Sequence, residues 1–527
     1  MKQLNFQKIF VRALDVILIL MALLFVGKMI GSFNWRMEHD TPLLHYVAFM
    51  MDKHGAVPYR DIFETSMPLS FAFHYLIVTL FGYSDLAFRF VDLFFLLTLL
   101  TATYFFLMRF GKKVALISCL LFGLVYYFHG QIMSLQRDYI GLLPIVFSLL
   151  CIPSDQPNSI KKKRFVLVGF LFGISFLIKP HLIIAMPLII AAIFAIGDVN
   201  PIKHFKESKR FIFISGISFS IPIVVTLLWL YAHDALKPFL NLFIHYLPLH
   251  SSLTGYHSAI SGSERIIYLV NGTLNLGGYG LFFLLSLFAF YRIFTIGHLQ
   301  KSKFISLMVL FLSTLLYAIY PTIAGKFWDY HYMPFAYFCS ITAGLCFYNW
   351  PNFSDKTLQQ CIGTLIVPFL FCAAVFISGL PFVSLVTLKR DIKFDHAATG
   401  TRDGRADEIA QWLSSRLKPE DKVQPLDWTG GSIHAMLLAK APLATRFMYD
   451  YHFYHNVSNP YIKGLRITFM RELTAAVPRF IIQVDDTNKP WVTGIDTNKE
   501  FAELTAFLNT GYKVAFTGNG YKIFERN

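Results

Sequence analysis

Long apolar runs separated by short polar breaks recur along this chain from Val11 to about Val386, and then stop. A run of roughly 17 to 25 residues is long enough to cross a ~30 Å hydrocarbon core as a helix. Such runs lie near 13–30, 86–108, 114–130, 139–152, 165–178, 182–197, 211–231, 274–291, 304–320, 333–348 and 361–385. They predict about eleven crossings. The stretch Pro68 to Gly82, "PLSFAFHYLIVTLFG", is apolar but short and contains His74. A full crossing there would reverse the side of every later connection, so it reads as an interfacial or re-entrant helix.

From about Leu388 the periodicity changes to alternating helical and strand patterns. Helices are predicted from Arg405 ("RADEIAQWLSSRL"), near 431–439, near 460–475 and from Asn498; strands from Lys422 ("KVQPLDW"), from Arg479 ("RFIIQVDD") and in the closing "YKVAFTG" and "YKIFER". The fold class is therefore a polytopic α-helical membrane protein, residues 1–387, with a C-terminal soluble α/β domain, residues 388–527. That domain has no GxGxxG or P-loop, so no nucleotide site is signalled.

Composition agrees: 55% of the 527 residues are hydrophobic and only 15% charged, the balance of an integral membrane protein. The net charge of +15 sits in clusters between apolar runs, at Arg109/Lys112/Lys113, Lys161 to Arg164, Lys203 to Arg210 and Arg292/Lys301/Lys303. Clusters of that kind report topology and anionic lipid rather than nucleic acid. With each cluster in the cytoplasm, the first run is an uncleaved signal anchor whose N-terminus is cytoplasmic, and the C-terminal domain lies outside. All six cysteines lie in or beside apolar runs, which implies small buried residues and neither a disulfide framework nor a thiolate metal site.

This topology sends five polar connections to the outer side: Gly31 to Met67, His129 to Asp138, Lys179 to His181, His233 to Arg265 and Gly325 to His331. The first, residues 31–67, holds most of the candidate chemistry. Asp40 precedes "TPLLHYVAFMMDKHG", whose spacing suits an amphipathic helix on the membrane, with Asp40 or Thr41 as N-cap and Gly55 at its end. On that observation alone Asp40 is an ordinary cap. Tyr59, Arg60, Asp61 and Glu64 follow in "GAVPYRDIFETSMP".

A carboxylate at the mouth of a membrane bundle suits one task in particular. Polyprenyl phosphates cannot leave the bilayer, so a base at its surface can deprotonate an acceptor hydroxyl while a sugar is displaced from its lipid phosphate. The leaving phosphate gains negative charge and needs cations. Lys179 and His181 interrupt an apolar stretch in "SFLIKPHLII". A charge there costs on the order of 3 kcal/mol in hydrocarbon, so Lys179 is a functional candidate, with snorkelling as the bland alternative. "SLQRDYIG" adds Arg137 and Asp138, alternatively a local ion pair of little worth. "GKFWDYHYMP" adds Lys326, Asp329, Tyr330 and His331, alternatively an interfacial aromatic belt.

This order of motifs resembles the GT-C glycosyltransferases, in the branch of protein O-mannosyltransferases and lipid A aminoarabinose transferases (glycosyltransferase families 39 and 83). The resemblance rests on Asp40 soon after the first span, the helix "LLHYVAFMMDKHG", "IFE" ending at Glu64, Pro68, Asp138, "GISFLIK" ending at Lys179, and "YHYMP". Two positions depart from the family pattern: Thr41 follows the loop aspartate where an acid is usual, and Thr65 follows the loop glutamate where a base is usual.

The resemblance implies inverting transfer of one sugar from a polyprenyl-phosphate donor, such as undecaprenyl phosphate, to an envelope acceptor (lipid A or lipopolysaccharide, glycan or protein). The reaction would take place on the outer face of a bacterial inner membrane. Asp40 would be the base, with Glu64 and Asp138 organising acceptor or loop. Lys179 and His181 would hold the phosphate, helped by Arg60, Arg137, Tyr59, Tyr330 and His331. No cofactor is expected, although a carboxylate and histidine cluster of this kind could take a divalent metal. The competing class is a secondary transporter or lipid flippase, which would show paired repeats and charges at mid-membrane depth; here the ionisable residues gather at span ends on one side. A non-catalytic partner in polysaccharide assembly is the third reading.

Overall fold

The computed structural model describes residues 2–155, 161–197, 205–296, 299–349, 358–392, 400–484, 489 and 491–527. Five described helices are long and apolar enough to cross a membrane: Leu14–Asn34, Asp85–Phe110, Lys112–Met133, Ser208–Ala232 and Lys301–Ala324. The pair Gly262–Gly278 and Gly280–Thr295, bent by 75°, makes a sixth if counted as one span. The chain is a multi-pass membrane protein.

The other expected crossings fold as shorter or broken helices. The run near 139–152 divides at Gly141 into Arg137–Ile140 and Leu142–Leu149. That near 182–197 is a 3-10 turn, Pro180–Ala185, leading into Met186–Ile196. That near 361–385 divides into Leu358–Ile377 and Leu380–Ile392, so the second helix continues past the expected domain boundary at 387. Met333–Gly344 is buried along its whole length. A helix enclosed by other helices is shielded from lipid, and its length is set by its neighbours rather than by the bilayer.

The basic connections meet at one end of the bundle. Arg109 donates to Ser306 Oγ (2.6 Å) and the Ile152 carbonyl, Arg164 to the Cys151 carbonyl, and Arg292 to the carbonyls of Cys346 and Tyr348. At the opposite end the first polar connection, residues 130–138, and the turns at 179 and 325–331 come together. The short helix Pro68–Phe81 has both flanks tied to this second end: Ser66 bonds Arg137, and Asp85 bonds Arg36. At 1.5 Å per residue it spans about 21 Å, short of the bilayer core. Both ends of this unbroken helix therefore lie toward the same end of the bundle.

One expectation is revised. The helix after Asp40, Thr41–His54, ends at Gly55 in the left-handed conformation as predicted, but it does not lie on the membrane surface, because every residue from Thr41 to Met50 is buried. The C-terminal domain covers it, with Tyr46 Oη donating to the Ala441 carbonyl at 2.7 Å.

The C-terminal part contains the elements its sequence predicts. Its four-stranded sheet runs Val423–Leu426, Phe480–Val484, Tyr521–Arg526, Tyr512–Gly518, the first pair parallel and the rest antiparallel. Helices Gly400–Ser414, Ser432–Leu438, Pro460–Ala476 and Ala502–Gly511 accompany it. Several contacts seat it on the membrane part. Phe63 N donates to the Arg446 carbonyl (2.8 Å), Arg36 pairs with Asp407 (2.7 Å), and Ser258–Ala259 forms a short parallel ladder with Thr493–Gly494. The cysteines at 119, 151, 339, 346 and 372 are free thiols; the Cys361 side chain lies outside the described residues.

Candidate active site

Asp40 occupies the N-cap position of the first-loop helix, yet its side chain makes no cap bond. Thr41 closes the turn instead, its Oγ1 accepting from Glu38 N (3.1 Å) and donating to the Glu38 carbonyl (2.8 Å). His39, with φ at +58°, makes the left-handed turn before it. Freed from the helix, the Asp40 carboxylate turns to Arg137 (2.5 Å), His39 Nδ1 (2.9 Å) and Tyr330 Oη (3.3 Å). The reading of Asp40 as an ordinary cap therefore fails on geometry.

Arg137 also donates to Ser66 Oγ (2.9 Å), and Ser66 donates through Oγ (2.9 Å) and N (3.2 Å) to Glu64. Asp138 turns the other way, accepting from Lys179 Nζ (2.8 Å) and from Tyr320 Oη. Lys179 lies over the rings of Tyr320 and Tyr330, 6.0 and 5.9 Å from their centroids. It can do so because the helix Lys162–Ile178 stops there, with Lys179 extended (φ −154°) before Pro180.

These contacts set the protonation states. Burial pushes Asp40 up, but His39, Arg137 and Lys179 outweigh it and hold the carboxyl well below the usual range. Burial raises Glu64, against Arg137 and Ser66. Burial opposes the Arg137 charge, yet Asp40, Tyr330 and Glu64 secure it. Lys179 is lowered by burial, with Asp138 opposing. Burial carries His181 down to about 4 and His331 to about 3, so both are neutral. The His331 Nδ1–H donates to the Lys326 carbonyl (2.9 Å), which leaves Nε2 as its acceptor.

Two clefts lie against the partners of Asp40, Arg137 lining one and His39 the other. One, of about 790 Å³ and open at its mouth, is lined by Arg137, Lys179, His181 and Lys326 together with Ile178, Phe243, Leu247 and Ile323. The second, about 400 Å³, lies between the first loop and the C-terminal domain, lined by Glu38, His39, Asp427, His434 and Tyr449. A cleft lined by both cations and apolar side chains suits a phosphate attached to a hydrocarbon tail, and the second cleft reaches His39, the neighbour that pairs with Asp40.

The sequence candidates divide accordingly. Asp40, Glu64, Arg137, Asp138, Lys179, His181, Tyr330 and His331 converge. Arg60 does not: it pairs with its neighbour Asp61 (2.8 Å), donates to the His233 carbonyl (3.0 Å) and lines a separate outer groove. Tyr59 is buried in support of the loop, its hydroxyl on the Ser66 carbonyl (2.6 Å) and its ring against Phe71 and Phe239. Ser66 and Tyr320 are not singled out by sequence, and His39 stands out there only as a titratable neighbour of Asp40. Tyr320 had a signal, since "YPTIAGK" ends an apolar run with a tyrosine and a proline. Among the described residues no group of three or more His, Cys, Asp or Glu side chains is arranged to hold a metal.

Residues 65–229 match the family model described as dolichyl-phosphate-mannose-protein mannosyltransferase. No curated protein sequence matches the chain. In fold the chain is similar to ArnT from Cupriavidus metallidurans bound to undecaprenyl phosphate, with a TM-score of 0.60 at 13% identity over 97% of both chains. The apo form of that protein gives 0.59 at 13% identity over 98% of both.

Proposed function

We propose that the chain is a glycosyltransferase of the GT-C superfamily, of the ArnT and protein mannosyltransferase type, which moves one sugar from a polyprenyl-phosphate donor such as undecaprenyl phosphate to an envelope acceptor; the family-model match over residues 65–229 and the ArnT-like fold support this. Lipid A or lipopolysaccharide, a glycan and a protein are the acceptor classes. The observation that carries this reading is the Asp40 carboxylate, turned away from its helix onto Arg137, which lines a cleft of cations and apolar side chains, and onto His39, which lines a second cleft.

In this mechanism the lipid phosphate occupies the first cleft, with Arg137 and Lys179 on its oxygens and neutral His181 and His331 as further hydrogen-bonding partners. The arriving phosphate competes for Arg137. As Arg137 turns to the phosphate, Asp40 loses one of the charges that hold it ionised and becomes a better proton acceptor. The acceptor hydroxyl enters from the second cleft and attacks the anomeric carbon from the face opposite the phosphate. The carbon–oxygen bond to phosphate breaks, the phosphate leaves with the electron pair, and Asp40 takes the hydroxyl proton. Configuration inverts because attack and departure are on opposite faces. Glu64 and Asp138 position Ser66–Arg137 and Lys179 respectively.

The site faces the outer side of a bacterial inner membrane, with the N-terminus and the basic end of the bundle cytoplasmic. Arg137 and Lys179 donate hydrogen bonds to the leaving phosphate, and the reaction is expected to need no metal. Saturating chelator is expected to leave the transfer rate unchanged with purified protein and a polyprenyl-phosphate sugar; a rate restored only by added divalent ion would refute this. In the same assay Asp40→Asn is expected to reduce transfer by roughly 100- to 10,000-fold. A folded Asp40→Asn protein that transfers at the wild-type rate would end the proposed mechanism.

A further inference from the structure

Each cation nearest Asp40 already has an anion. Arg137 is compensated by Asp40 and Lys179 by Asp138, so the two pairs together add no net charge to the cleft. Lys326 differs. It lines the same cleft, is 3% exposed, and its one hydrogen-bond acceptor is the Thr254 carbonyl at 3.1 Å. The face of Trp328 lies 5.5 Å from its ammonium. Among the described residues it forms no ion pair.

On these grounds we propose, resting on the lipid-phosphate reading above, that Lys326 supplies the counter-charge for the donor's phosphate, an anion site completed only when the ligand is bound. A buried ammonium without an anion is unfavourable. A phosphate supplies the missing charge and accepts the remaining ammonium hydrogens, first as the diester of the donor and then as the more highly charged monoester that transfer releases.

The surroundings give the site a pH signature. Burial lowers Lys326 to about 7, and Arg265 adds to the effect. The titratable groups facing it are Arg265, His250, His257, His331 and His455. The four histidines are all held neutral by burial, and no carboxylate is among these groups. Phosphate binding therefore draws a proton from solvent onto Lys326 as pH rises above about 7, and affinity declines on the alkaline side.

The test measures binding of undecaprenyl phosphate, and separately of inorganic phosphate, to the purified full-length protein from about pH 6 to pH 9. Lys326→Met is expected to weaken binding by roughly 10- to 100-fold and to flatten the alkaline decline, and Lys326→Arg to restore affinity without the decline. A structural lysine would lower the melting temperature when replaced, whereas Lys326→Met is expected to leave the empty protein as stable or more so. Binding of both ligands with the same Lys326 dependence makes the free anion sufficient; binding of undecaprenyl phosphate alone makes the lipid headgroup the ligand. Either outcome upholds the site.

Wild-type affinity and pH profile in Lys326→Met would overturn the assignment while leaving sugar transfer intact. Lys326-dependent binding without sugar transfer by wild type would uphold this site and overturn the reaction instead. A wild-type protein that binds neither ligand would overturn both.

Discussion

At the scale of single residues, the decisive feature is where one short side chain points. Sequence spacing made Asp40 both a plausible helix cap and a plausible base, two roles that exclude each other because a capping carboxylate is occupied by its own helix. Thr41 takes over the local bonds and leaves Asp40 to Arg137. Because Asp40 is held low, it stays ionised in acid: the acid limb of kcat/KM for transfer is expected below the ordinary aspartate value of about 3.9. Stability follows the same sign. The contribution of Asp40 is complete above about pH 3.9, its unfolded value, and is lost as pH falls through the lower native value. A pH–rate profile checks the first point, and an acid limb shifted upward would contradict it. Arg60 shows the opposite lesson: its residue type suits phosphate, but an adjacent aspartate already claims it.

At the scale of elements, buried polar contacts explain how broken helices hold a site in place. Arg89 and Asp92, both fully buried in the helix Asp85–Leu107, pair with one another. Arg89 also bonds Ser32 Oγ (2.6 Å) and lies over Trp35 in the first loop, 4.5 Å from the ring centroid. Asp92 accepts from Tyr126 Oη (2.6 Å) and from Leu135 N (3.2 Å), two residues before Arg137. One ion pair thus ties the strand of chain before Asp40 to the turn that delivers Arg137.

Removing one partner leaves an uncompensated buried charge, so Asp92→Asn is expected to cost about 3–5 kcal/mol, read from unfolding in detergent. Unchanged stability would show the pair to be dispensable. Gly173, which the sequence presents as the start of a motif ending at Lys179, has a packing reason: with Gly169 it lets the helix Lys162–Ile178 meet the backbone of Phe205–Ala232. A Cβ at these positions would come within 2.1 Å of the Ser215 carbonyl and 2.4 Å of that of Phe219.

At the scale of the whole molecule, the two parts share the site. The C-terminal domain covers the first-loop helix and supplies Asp427, His434 and Tyr449 to the second cleft. For this to work the domain must stand on the same side as Asp40. A reporter fused after Asn527 is therefore expected to be extracytoplasmic, and a cytoplasmic signal would refute the orientation.

Apolar run lengths, basic clusters and the change of periodicity near Leu388 determined by themselves that the chain is a membrane bundle followed by an α/β domain, because burial in lipid and in a core are imposed residue by residue along the chain. They also brought Asp40, Asp138 and Lys179 into view, since charges beside apolar runs are costly enough to stand out. Only the tertiary structure decided which charges compensate one another, that Arg60 lies apart, and that Lys326 has no anion among the described residues. Pairing depends on contacts between positions as far apart as 40 and 137 or 254 and 326, and no local pattern records them.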